Sequence, residues 1–262
     1  MKTLPVLAAF SHAFRSTTHN LGFAFQVSWP WMLALLPINI AGNLYFLANS
    51  FGNSEEMNPK VFAAVLIMGI CGMIAFASIA VNWHRYILLD EVPHGMERLR
   101  LDATVWRYVG NILLIGLILV VGAGGIGIVL VILAVLLGTV GQFVAVIGAV
   151  ALTLFSIVAS YRLSIKLPAI ALGRQDYGLL HAWTATAGNS WRFLGLLLIL
   201  FIVSGLAALA GGLVGFGLGT IGGNVGVSIS VAVQLAVNWV LAILGVTMLT
   251  SLYGYFVEGR EF

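Results

Sequence analysis

The sequence predicts an all-α fold: a polytopic transmembrane helical bundle of six spans, built as three repeats of a surface helix followed by a transmembrane hairpin. Three observations lead there. First, 61% of the 262 residues are hydrophobic and only 8% are charged, against roughly 25% charged in an ordinary soluble domain. So few charges could not cover a soluble particle of this size, so the surplus apolar surface must face lipid. Second, six apolar stretches each reach the roughly 20 residues that a ~30 Å hydrocarbon core requires. Third, the basic residues gather on one side of those stretches.

The segment from Lys2 through Leu4 to Phe10, with Ser11-His12-Ala13 after it, imitates a secretory signal. It is short for one and is interrupted by Pro5. Leu7, Phe10, Phe14 and Leu21 share a helical face, and His12, Arg15, Ser16 and His19 fall away from it. The pattern predicts an amphipathic helix over about 4–21, lying on the membrane surface.

The first span covers about 27–48, with Trp29 and Trp31 at one end and Tyr45 at the other, as an aromatic belt requires. The second covers about 61–81. From Val109 to Ser160 there is no charged residue. A straight helix of that length would run about 78 Å, so it must fold back. Gly138-Thr139-Val140-Gly141-Gln142 is the turn, giving spans 109–136 and 142–160. The stretch from Phe193 to Val257 folds back in the same way within Gly215 to Asn224, giving spans 193–214 and 225–250.

With an even number of spans, both termini fall on one side. Lys2, Arg15, Arg85, Arg98, Arg100, Arg107, Arg162, Lys166, Arg174, Arg192 and Arg260 share that side; only Lys60 lies opposite. The positive-inside rule makes that side cytoplasmic. It also argues against a nucleic-acid partner, despite the net charge of +3, because the cations line the spans instead of a soluble face.

The cytoplasmic segments repeat. Trp83-His84-Arg85 and Tyr161-Arg162 lead out of spans two and four. Trp106-Arg107 and Trp191-Arg192 lead into spans three and five. Between them lie two further surface helices, about 95–106 and 176–188. Arg98 pairs with Asp102 at i,i+4 in the first; Asp176 caps the second and Gly188-Asn189 ends it. The eight residues Trp83, Arg85, Trp106, Arg107, Tyr161, Arg162, Trp191 and Arg192 read as anchors, with rings at headgroup depth and guanidinium groups on phosphate, or as contacts for a partner.

Gly122 to Gly127 and Gly217 to Gly222 match G-x-G-x-x-G, but no acidic residue follows about 20 positions later, so neither is a dinucleotide fingerprint. The ladder Ala207, Gly211, Gly215, Gly219 and Gly223 instead reads as helix packing, with Gly211 and Gly215 on span five. The spans as bounded above carry no Asp, Glu, Lys, Arg or His, which counts against a proton pump. Neutral polar residues fall at i,i+4: Asn39 and Asn43, Ser78 and Asn82, Ser156 and Ser160, and Ser230, Gln234 and Asn238. They either join helices or line a polar cavity. Pro30 and Pro37, which would kink span one, favour a cavity around Asn39.

Cys71, the lone cysteine, is packing. His84, His94 and His181 lack metal-ligand spacing, and no G-x-S-x-G or P-loop occurs. His84 with Asp90 and Glu91 is the one conceivable interfacial site. No catalytic residue, metal or cofactor is expected.

The stretch Leu167 to Gly173, then His181-Ala182-Trp183 and Gly188-Asn189-Ser190-Trp191-Arg192-Phe193, resembles a motif of bacterial six-span proteins, among them the YciC-like family and the membrane domain attached to some glycerophosphodiester phosphodiesterases. The resemblance covers about 161–200; Trp83-His84-Arg85 and the tail Leu252 to Arg260 resemble related proteobacterial proteins. It implies a bacterial inner membrane and no activity, since the phosphodiesterase chemistry belongs to a separate soluble domain. The expected function is therefore non-enzymatic: a scaffold or accessory subunit of a membrane complex, or a lipid-organising protein. Its partners would be membrane lipids and a protein complex or a second copy of the chain. The alternative is a small transporter or flippase for a neutral or amphipathic substrate, with a membrane enzyme third.

Overall fold

Among the described residues eight helices follow one another: α1 (Val6–His19), α2 (Leu21–Ser50), α3 (Pro59–Leu89), α4 (Ala103–Leu136), α5 (Gly138–Ser164), α6 (Lys166–Ala171), α7 (Leu179–Ala185) and α8 (Ser190–Phe256), with a 3-10 turn at Gly95–Leu99. The computed structural model describes residues 2–50 and 59–262, without the side chains of residues 43, 44, 46–50, 221 and 224. It is 87% helical, and no strand occurs among the described residues. α8 is two helices joined at Gly223, where φ is 52° and ψ is −137°. Its arms are Ser190–Thr220 and Val225–Phe256. With them, six helical segments among the described residues are long and apolar enough to cross a membrane. The chain is a multi-pass membrane protein.

Two turns explain the two hairpins that close within the described residues. Gly138 at φ 57° separates α4 from α5, and Gly223 at φ 52° separates the arms of α8. Left-handed backbone of this kind favours glycine. Three residues later, Gly141 and Gly226 bring their helices so close that a Cβ would collide with the carbonyl groups of Leu133 and Leu218. Leu133, Gly138 and Gly141 correspond to Leu218, Gly223 and Gly226 at a constant offset of 85 positions, and so do Trp106 and Trp191. The α4–α5 hairpin and α8 are thus two copies of one structural unit.

Each hairpin is zipped along its own length. Gly148 faces the Leu130 side chain; Gly211 and Gly215 are buried and face Gln234 and Ser230 on the opposite arm. Between hairpins, the packing lies at one end. One core cluster joins Ala24 and Val27 of α2, Val81 and Trp83 of α3, Val105 and Tyr108 of α4, and Ile243 and Val246 of α8. A second joins Leu4, Ala9 and Ala13 to Ile165, Ala182, Phe193, Met248 and Tyr253. All belong to the helix ends near α1, α6 and α7, which form a collar. Toward the other end much of the outer surface of the hairpins is exposed. The most apolar stretch of α4 buries none of its residues, and Gly122, Gly124, Gly125 and Gly127 face nothing within 4 Å.

Several expected boundaries shift, each for a physical reason. The helix expected over 95–106 is only the 3-10 turn Gly95–Leu99. Asp102 then accepts from the Thr104 and Val105 backbone N–H groups and caps α4, so Trp106 and Arg107 ride on the first turn of the span helix itself. This break removes the i,i+4 geometry expected for Arg98 and Asp102; Asp102 pairs with Arg100 at 3.4 Å instead. In the second segment Gly178, not Asp176, precedes α7, and α6 stands before it as an additional element. α5 starts at Gly138, ahead of the expected 142, and the turn in α8 falls at the far end of its expected window. α2 starts at Leu21 and runs through both Pro30 and Pro37. α3 and α5 continue past the expected span ends, which brings His84, Arg85 and Arg162 onto the spans.

α1 lies against the second arm of α8, but not by its large apolar face. Ala9, Ala13 and Thr17 are the buried stripe, because small residues allow close helix approach. Leu7 and Phe14 are exposed.

Candidate functional site: a polar collar

The collar holds nearly all the polar chemistry, and its centre is His84. The Thr250 hydroxyl donates to the Val246 carbonyl at 2.9 Å, so its oxygen accepts from His84 Nδ1–H at 2.8 Å. Nε2 is then the acceptor for the Tyr108 hydroxyl at 3.1 Å. The ring is fully buried and bonded to α4 and α8 from α3, so it joins all three hairpins. A parallel bond runs from Thr17 of α1 to Thr247 of α8 at 3.0 Å. The interfacial site expected from His84, Asp90 and Glu91 does not form, because both His84 nitrogens are taken by Thr250 and Tyr108 and the Glu91 carboxylate by Arg85 and Arg100.

Glu91 is taken by arginines. Asp90 ends α3 at φ 56°, a conformation Asp tolerates, and swings Glu91 back onto Arg85, which forms a two-pronged ion pair with it; Arg100 adds a contact at 3.3 Å. The hydrogen bonds from Arg85 hold the Glu91 carboxyl below its ordinary value, against the opposing effect of burial. Arg85 also donates to the Ala171 carbonyl at the end of α6, at 3.0 Å.

On the other flank, Arg174 donates to the Tyr253 hydroxyl at 3.1 Å and to Asp176 at 3.4 Å. That bond lowers the Asp176 carboxyl, and burial pushes the neighbouring Tyr177 phenol up to about 12. A cavity of about 160 Å³ opens beside them, lined by Arg107, Asn111, Lys166, Arg174 and Tyr177 among others. The N-terminal segment is strapped down as well. Asn189 accepts from Leu4 N–H at 2.9 Å and donates to the Lys2 carbonyl at 3.0 Å, and the Tyr255 hydroxyl donates to the Thr3 carbonyl at 2.8 Å.

Arg162 differs from every other cation. It is 5% exposed and the only charged residue among the buried ones described. It donates through Nε to Thr186 Oγ1 at 2.9 Å, through Nη1 to Ser190 Oγ at 3.2 Å and through Nη2 to the Trp183 carbonyl at 2.7 Å. Its guanidinium lies 3.6 Å from the centre of the Trp183 ring. Among the described residues no carboxylate pairs with it. It borders a cavity of about 260 Å³ between α5, α7 and the first arm of α8, whose other walls include Ala151, Leu154, Phe155, Trp191 and Leu194.

The eight aromatic and basic residues therefore divide. Trp106, Arg107, Trp191 and Arg192, which lead into spans, stand exposed on first turns. Trp83, Arg85, Tyr161 and Arg162, which lead out, turn inward. Trp83 is fully buried and packs on Phe23 and Tyr86, Arg85 is held by Glu91, and Tyr161 packs on the core. The headgroup-depth reading fails for the Trp83 ring, which is fully buried where the hairpins converge; Arg162 is drawn inward but still borders an open groove.

The polar stripes are separated too. Ser230 and Gln234 face Gly215 and Gly211; Gln234 donates to Asn238 at 3.3 Å, and Asn39 donates to its own helix at Leu35. None of these residues lines the cavities described here; the Asn43 side chain lies outside the described residues. No group of three His, Cys, Asp or Glu able to hold a metal occurs among the described residues.

Sequence reasoning missed Tyr108, Thr186, Asn189, Thr247 and Thr250. For the last two a signal existed: Thr247, Thr250 and Ser251 form a second polar face at the collar end of the last span. Comparison with known proteins finds no matching family model, curated relative or solved structure.

Proposed function

We propose that this chain is a non-enzymatic protein of the bacterial inner membrane, with both termini in the cytoplasm, that organises anionic lipid or accompanies a membrane complex through its collar. One observation carries the reading: the collar gathers the cations and the inter-hairpin packing, while the distal halves of the hairpins stay apolar and separate. A rigid basic platform above loosely joined hairpins suits holding headgroups or a partner. The concentration of Lys and Arg at that end supports its cytoplasmic placement. The resemblance of 161–200 to the YciC-like proteins supports a bacterial inner membrane. The transport reading has less support, because Ser230 and Gln234 meet glycines of the opposing arm.

Two measurements test it. Reporter fusions after Arg100, Asp176 and Phe262 read cytoplasmic, and a fusion after Glu56 reads periplasmic; a periplasmic signal at Asp176 overturns the topology. Replacing Arg107 and Arg192 together with Gln lowers the phosphatidylglycerol that co-purifies in mild detergent, each cation being worth about 1 kcal/mol at an anionic surface. Solute movement by reconstituted vesicles would instead favour the transporter.

A further inference from the structure

We infer that the groove between α5, α7 and the first arm of α8 is a site for one anionic phospholipid, its phosphate against Arg162 and one acyl chain along Phe155 and Leu194. The inference rests on the lipid-organising reading above and assigns it a place. Arg162 has five N–H donors, and three are used, all on neutral acceptors. Its charge is thus buried without a counter-charge, an arrangement that is costly unless an anion completes it. Two donors remain. Ser190 at the groove also begins the first arm of α8, whose first turn has no side-chain cap, so its orphan N–H groups add positive potential at the same end. Below this end the walls are apolar, with Leu154, Phe155 and Leu194.

The dimensions fit a lipid better than a free ion. Ala151 lines the groove eleven positions before Arg162 on α5, about 16 Å along the helix axis. One leaflet of a ~30 Å hydrocarbon core is about 15 Å deep. The groove therefore places a cation at the collar, where headgroups lie, and apolar walls through one leaflet.

The test uses the full chain extracted from vesicles of equimolar phosphatidylglycerol and phosphatidylcholine, with retained lipid counted by native mass spectrometry. Wild type retains phosphatidylglycerol in preference to phosphatidylcholine. Arg162→Gln lowers that retention by about tenfold, the scale of one charge-assisted contact. Because Arg162 also ties α7 to α8, Ala151→Trp supplies a second variant that fills the groove and leaves the arginine intact; it produces a similar loss, while Ala149→Trp on the opposite face of α5 does not. Wild-type retention in folded Ala151→Trp overturns the inference, as does equal retention of the two lipids by wild type. A melting shift with inorganic phosphate as large as that with phosphatidylglycerol also overturns it, in favour of a small-anion pocket. If Ala151→Trp is silent but the Arg107 and Arg192 double replacement strips lipid, the groove fails and the broader proposal stands; if wild type retains neither lipid nor protein, the broader proposal fails.

Discussion

At the collar, His84 bridges three hairpins, Arg85 ties α3 to α6, and Trp83 is buried against the stacked rings of Phe23 and Tyr86. Further along the same set of helices, Val120, Val135 and Ile147 are 70%, 76% and 70% exposed. The two regions lie on the same helices, but the collar ends carry polar and charged side chains while the distal halves are almost wholly apolar. In lipid, apolar side chains gain little from leaving one hydrocarbon for another, and association depends on close packing and hydrogen bonds. The collar has both between hairpins. The distal halves have close packing only inside each hairpin, where glycines meet the opposing helix.

Two tryptophans put that contrast to its hardest test. Trp83→Ala removes a buried ring and leaves a cavity, an effect of about 3–5 kcal/mol, read as a large fall in melting temperature in detergent. Trp191 is 83% exposed, and Trp191→Ala leaves stability within about 0.5 kcal/mol. Equal effects would erase the distinction between inward and outward aromatic residues.

Glycines sharpen it next. Gly141→Leu and Gly211→Leu force a side chain into a packed hairpin and destabilise by about 1–3 kcal/mol. Gly122→Leu, facing open space, leaves the melting temperature at its wild-type value. A matching loss at Gly122 would mean that its face is covered in the membrane.

The smallest effect is electrostatic. Glu91 sits below its ordinary value of 4.5, chiefly through the Arg85 hydrogen bonds. Its contribution is therefore fully present above that value and is lost as pH falls through the lowered folded one. With the carboxylate about a third exposed, solvent screening holds the amount to under about 1 kcal/mol. Glu91→Gln flattens the decline in melting temperature over that acid range and changes little at neutral pH.

Six spans could be read from the sequence because length against bilayer thickness is a hard constraint, and Gly138 and Gly215–Asn224 marked the turns. The direction a Trp-Arg pair faces could not. Trp83-His84-Arg85 and Trp191-Arg192 look alike in sequence, and only the convergence of α3 on α4 and α8 turns the first inward. α1 misled for a related reason. Leu7 and Phe14 give it an amphipathic pattern, yet Ala9, Ala13 and Thr17 pack it, because close approach selects the small face. Arg162 looked like any other flanking arginine; its isolation from carboxylates depends on where Thr186 and Trp183 arrive, which no local pattern encodes.

The bonds that seat α1 and the segment before it have consequences for timing. Thr17 meets Thr247 and Thr3 meets Tyr255, partners separated by 230 and 252 positions. At about 5–20 residues per second, a ribosome needs roughly 10–50 s to deliver the second partner after the first. During that interval the N-terminal helix has no seat on the last span. Its exposed Leu7 and Phe14 can rest in the interfacial layer while its small stripe stays available. Assembly of the collar is then completed by the last hairpin to insert, which fastens the earliest-made helix in place.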